Sequence, residues 1–447
     1  MRTSAAVFET VTAGLATLVA GMSLMLPIDF TWTSGASALQ LDLLAHSLPH
    51  AIAAGAVIGL IVAVFATTVN HGLAAWGSAL CGAVLLLVTH LIGAHSGPDA
   101  SLATVNFVDA IAGGILLGGI ATAVLHGRLQ VFGWTLGALG SIVVGAALPV
   151  QHGNAFGDPD RYGRWPAVDS PPPWLIAVTV VLVGFGTLAN RHTTEVERRS
   201  IELPMAPIVA GLIYVVATLA GTEWLNRHPG STVHIALTVG GTVVAGFVAA
   251  VLLPRRDGTL VLLAIALAAV GSAIMPSWLP GWSAAPLLVL LALGIVLGFR
   301  RPGPLLALLL STVLALSCVV TLDHDENRVR NAIVAVVLTL VTGYSFGSAA
   351  PRYNPTRVLG VSIVFVPSVV LALRDHADRG DLDTATADAG RWYVCRVPAT
   401  DSPVPHWTAL AITVGCLVGL IALRRLRAPT VGPASGTAER PDDREPL

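Results

Sequence analysis

The chain has 447 residues, of which 54% are hydrophobic and 11% charged, with mean hydropathy +0.76 and net charge −1. A soluble domain carries about a quarter charged residues. The composition therefore excludes an ordinary soluble protein, a disordered chain and a nucleic-acid binder, and it indicates a multi-pass protein whose first partner is the lipid bilayer. All 25 basic residues are Arg, a bias that fits a GC-rich genome and carries no mechanism. Cys81, Cys318 and Cys416 lie in apolar runs and Cys395 in a polar stretch. Their spacing suggests neither a metal site nor a disulfide, and no cofactor is expected.

A crossing of the bilayer core needs about 20 mostly apolar helical residues. About 14 such runs follow in chain order: 5–26, 50–69, 72–92, 104–125, 131–150, 174–190, 204–221, 232–253, 259–276, 284–299, 303–321, 329–348, 357–373 and 406–424. Runs this long without alternation are helices, because lipid leaves backbone groups no partner outside a helix or a closed barrel. The expected fold is all-α and polytopic. Ala36-Ser37-Ala38 resembles a cleavage site, but it lies beyond an apolar core too long for a signal peptide, so the first helix is expected to stay.

Arginines concentrate in the links that face one side if the N-terminus is cytoplasmic, which puts both termini inside the plasma (inner) membrane. The short turns His126–Gln130, Pro254–Gly258 and Arg300–Gly303 carry the strongest bias. Most tryptophans fall at the opposite ends, and Trp76 and Trp134 are expected at the inner interface. The charged link 191–203 divides a six-helix bundle (1–190) from an eight-helix region (204–424), and the Arg-, Pro- and Asp-rich tail 425–447 is expected to be disordered. Glycine pairs four apart (Gly114/Gly118, Gly133/Gly137, Gly294/Gly298, Gly343/Gly347 and Gly415/Gly419) predict close helix contacts.

Ionisable groups inside a span are costly, so each is a functional candidate. Asp109 is foremost. His90, at a similar depth in the preceding helix, is its expected partner, and such a pair can exchange a proton near neutral pH. Glu9 is a second candidate, near enough to the inner end to snorkel to water. Asp42, His46 and His50 are four apart, but nothing in the pattern fixes a metal geometry. Arg255, Arg256 and Asp257 form a basic inner turn and are read as a gate.

Asn106–Gly114 followed by His126-Gly127-Arg128, then Arg164-Trp165 with Pro173-Trp174, and Pro254-Arg255-Arg256-Asp257-Gly258 together resemble the major facilitator superfamily. The nearest variant is its 14-helix drug/proton antiporter group. The turn Asn70-His71-Gly72-Leu73 departs from that group's charged inner motif. The resemblance implies a two-bundle, transporter-like architecture with alternating access, and the apolar spans favour a lipophilic or lipid-linked small-molecule substrate. The expectation is a transporter of efflux or flippase type rather than an enzyme. Two alternatives remain. One is a polyprenyl-donor glycosyltransferase with Asp29 or Asp42 as its base. The other is a non-transporting scaffold.

Overall fold

A computed structural model describes residues 2–28, 30, 38–69, 71–97, 101–148, 170–191, 205–228, 231–254, 256–274, 279–320, 328–349, 351–374 and 403–427. Its helices are α1 (Arg2–Met25), α2 (Ala38–Val69), α3 (Gly72–Ser96), α4 (Leu102–Val124), α5 (Arg128–Ala146), α6 (Pro173–Asn190), α7 (Ala206–Arg227), α8 (Thr232–Leu252), α9 (Asp257–Ile274), α10 (Ala284–Arg300), α11 (Pro304–Val320), α12 (Arg328–Ala349), α13 (Asn354–Phe365) and α14 (Val404–Leu426). Among the described residues thirteen helical segments are long and apolar enough to cross a membrane, and α11 is a shorter apolar helix. Among the described residues there is no strand. The chain is an all-α, multi-pass membrane fold.

Two helices differ from expectation for reasons that involve proline. The second begins at Ala38 rather than near 50, because Pro49 lies inside it. Proline takes away one backbone donor and normally ends a helix. Here the helix continues, and the neighbouring Ser47 hydroxyl donates to the Leu44 carbonyl (3.0 Å). Its 32 residues span about 48 Å, more than the hydrocarbon core, so the first turns project beyond it. The span Asn354–Arg374 is broken at 366–368. Val366, ahead of Pro367, adopts ψ 127°, the extended conformation that proline imposes on its predecessor.

Helix pairing reveals an internal repeat. In α1–α6 the packed pairs include α1 with α4, α5 and α6, α4 with α2 and α3, and α3 with α6. In α9–α14 the same pairs recur eight places on: α9 with α12, α13 and α14, α12 with α10 and α11, and α11 with α14. The described residues thus form two six-helix units with α7 and α8 between them in sequence. The seam obeys the same exchange. Where α2 meets α13, α10 meets α5; where α4 meets α13, α12 meets α5. The inserted α7 packs on α2 and α13, and α8 packs on α9 and α14.

Glycines explain why corresponding pairs approach so closely. Gly55 and Gly59 of α2 abut the backbone of α4 around Ala110, Gly114 and Gly118, where a side chain on Gly59 would lie 2.8 Å from the Gly114 carbonyl. Gly294 and Gly298 of α10 meet Gly343 and Gly347 of α12 in the same way, and a side chain on Gly298 would lie 2.6 Å from the Tyr344 carbonyl. Small residues four apart let backbones touch, and dispersion replaces the hydrophobic drive that lipid cannot provide. Gly133 and Gly137 likewise abut Thr10 and Gly14 of α1, whereas Gly415 and Gly419 receive the side chains of Val243 and Phe247.

Trp76 and Trp134, expected at the interface, are instead 2% and 1% exposed. Gly186 makes the room for the Trp76 ring. Trp174, Trp224, Trp282 and Trp407 are 47–79% exposed, and all lie at the ends facing away from the N-terminus.

Candidate functional site

Asp109 lies on α4, about two turns from its start, and is completely buried. α1 and α4 run antiparallel, so the last turn of α1 meets the first turns of α4. There the Ser23 hydroxyl donates to Asp109 Oδ2 and lies 3.4 Å from its carbonyl oxygen. α3 brings His90 from the other side, with Nε2 3.2 Å from Asp109 Oδ1. His90 is 1% exposed. The expected pair is therefore formed, and a third helix contributes to it. A buried acid held by one hydroxyl and one imidazole has two groups across which a proton can be held or passed.

One turn further toward the helix ends, the site is closed by the chain that leaves α1. Asn106, three residues before Asp109 on the same helix face, accepts the Ile28 backbone N–H (3.1 Å). Phe30 places its ring edge-on to His90, with centroids 6.1 Å apart. Gly93, three residues after His90, provides the notch for that ring, and a side chain at Gly93 would lie 2.7–3.0 Å from the Phe30 Cε atoms. Ile28, Phe30, Leu44 and Leu102 form a small apolar cluster of their own, apart from the main core.

Glu9 does not join this group. It lies 14 residues before Ser23 on α1, about 21 Å away along the helix. The Gln130 side-chain amide on α5 donates to it at 3.1 Å.

In the turn read as a gate, Arg256 is exposed and Arg255 lies outside the described residues. Asp257 is 3% exposed. It opens α9 and accepts the Arg352 backbone N–H and the Thr356 hydroxyl, both at 3.1 Å, which pins α9 to the start of α13. Nearby, the Arg427 guanidinium donates to the carbonyls of Ala250, Val251 and Leu253 (3.1, 3.1 and 2.5 Å). A cation is favourable where a helix presents unpaired carbonyls, so Arg427 caps α8 and ties it to α14. Partial burial lowers the Arg427 guanidinium from its usual value and the Asp257 carboxylate opposes that shift. This cluster joins α9 to α13 within the second unit, and α14 to the inserted α8, at the face that carries the N-terminus.

His46 and His50 are exposed on α2. Among the described residues no three His, Cys, Asp or Glu side chains group as metal ligands. Asp29 and the Asp42 side chain lie outside the described residues. Ser23, Asn106, Phe30 and Gln130 were not singled out from sequence. Asn106 carried the one available signal, a polar residue one turn from the buried acid.

No protein-family model and no curated protein matches the chain. Solved structures do match it. The neighbours are membrane transporters. An auto-inhibited POT family peptide transporter is 14% identical, covers 96% of this chain and 98% of its own, and has a TM-score of 0.46. The xylose transporter XylE from E. coli, partially occluded and inward open, is 12% identical over 93% and 99%, with a TM-score of 0.46. The major facilitator superfamily transporter FucP, outward facing, is 13% identical over 94% and 98%, with a TM-score of 0.41. Likeness at this level fixes no residue correspondence, and the roles of residues in those proteins are not carried to this chain.

Proposed function

We propose that this protein is a proton-coupled, alternating-access transporter of the plasma (inner) membrane. Its substrate is a lipophilic or lipid-linked small molecule moved by efflux or flipping. The observation that carries the reading is the internal repeat. Two six-helix units that pack alike and meet along an exchange-symmetric seam are built to rock against one another. The buried Asp109–His90 pair supplies the coupling group, since an ionisable pair inside a span is retained against a desolvation cost. Orientation follows from charge. Arg128, Arg256, Arg300, Arg301, Arg424 and Arg425 are all exposed at the face that carries the N-terminus. That face is cytoplasmic by the preference of basic loops for the inside.

The test compares lipids and small metabolites of wild-type and deletion strains, then repeats the comparison with Asp109→Asn restored on a plasmid. The reading expects one compound class to accumulate in the deletion strain. It expects Asp109→Asn to be made and inserted normally yet to fail to restore the wild-type profile. Full restoration by Asp109→Asn contradicts the coupling role.

A further inference from the structure

We propose that Phe30, seated in the Gly93 notch, is the water gate of the Asp109–His90 pair, and that the pair is reached from the membrane face opposite the N-terminus. The purpose given to the gate rests on the coupling role proposed above, but its existence does not. The pair lies within the first turns of α4 and the last turns of α3, close to that face. Water would have a short route to it if nothing covered it. Among the described residues, Ile28 and Phe30 cover it. Each is anchored one turn outward of one member of the pair, Ile28 on Asn106 beyond Asp109 and Phe30 at Gly93 beyond His90. Phe30 is 4% exposed and has its ring edge against the imidazole.

Two features make this cover movable rather than a permanent part of the core. Ile28 and Phe30 belong, with Leu44 of α2 and Leu102 of α4, to the small cluster that is separate from the main one, so lifting them gives up that cluster but leaves the main core between α1, α2 and α4 in place. Among the described residues one backbone-to-amide hydrogen bond ties Ile28 to α4, a contact of about 0.5–1.5 kcal/mol net. On the opposite side the site is sealed by helix packing. Below Asp109, Gly113 abuts Ala20 and Ser23 of α1, and Gly114 abuts Gly55 of α2. An aromatic plug on one side and close-packed backbone on the other give the pair one-sided access.

The experiment uses the full chain in oriented proteoliposomes. A water-soluble carbodiimide and a membrane-impermeant amine are added to one face, and adducts at Asp109 are quantified by mass spectrometry. Exposed Glu223 serves as the internal standard. Wild type is expected to label slowly at Asp109. Phe30→Ala should label several-fold faster, only from the face opposite the N-terminus, and Phe30→Leu should lie between. Gly93→Ala, which unseats the ring, provides the same increase if Phe30→Ala fails to fold. Equal labelling in wild type and in folded variants, or faster labelling from the N-terminal face, overturns the proposal. Faster labelling together with unimpaired transport by Asp109→Asn would keep the gate and reject the coupling role. Unchanged labelling with normal coupling would do the reverse.

Discussion

Replacing His90 with Ala is expected to destabilise the folded protein by about 1–3 kcal/mol, because it takes the imidazole away from the buried Asp109 carboxyl 3.2 Å from it. The Ser23 hydroxyl remains on Oδ2, but the side of the carboxyl that faced the imidazole loses its neighbour. Truncation also opens a space beneath Phe30, which adds a packing loss. The double variant His90→Leu/Asp109→Val is expected to recover most of that loss, since a buried polar pair exchanged for apolar residues of similar volume is often neutral or stabilising. Ser23 then has the α1 carbonyl four residues back as an acceptor, the arrangement Thr17 already uses with Ala13. Thermal unfolding in detergent, read with the single and double variants side by side, gives the coupling energy. A double variant as stable as wild type but unable to restore the metabolite profile assigns the pair to function. A double variant as unstable as His90→Ala would mean that the pair holds the fold.

The second large effect is expected at the seam. A side chain on Gly140 of α5 would lie 2.9 Å from Leu288 of α10, at the crossing between the units that corresponds to the one between α2 and α13. After replacement of Cys81, Cys318, Cys395 and Cys416 by Ala, a Gly140→Cys/Leu288→Cys pair is expected to cross-link under mild oxidation and to reduce transport to background. Reductant should restore it, and each single cysteine should be near wild type. A cross-linked protein that transports normally would show that the α5–α10 contact persists throughout the cycle.

Much of the fold is legible in the sequence because hydropathy alone identifies a bilayer-spanning run. The exceptions are local. Pro49 reads as a helix start yet lies inside α2, and Pro367 breaks a span that hydropathy reads as continuous. Pairing between helices is not legible. Gly55 and Gly294 look like ordinary small residues until their partners are known, because a glycine states that something comes close but not what. The Asp109–His90 pair stood out because ionisable groups inside spans are rare. Ser23 did not, since many hydroxyls in these helices bond their own backbone, as Thr67 does with Ala63. Glu9 looked alike in sequence, but its partner is Gln130, at the other end of the bundle from Asp109. Trp134 fitted an interfacial reading, yet the interior of the first unit takes it up completely.

The central claim is that the two repeated units move against each other about the seam. Spin labels at Arg128, on the first unit, and Arg352, on the second, both exposed at the N-terminal face, measure that motion directly by pulsed dipolar spectroscopy. Two distance populations are predicted, with relative weights that change with pH in wild type and do not change in Asp109→Asn. A single narrow distance, indifferent to pH in both proteins, would contradict the account.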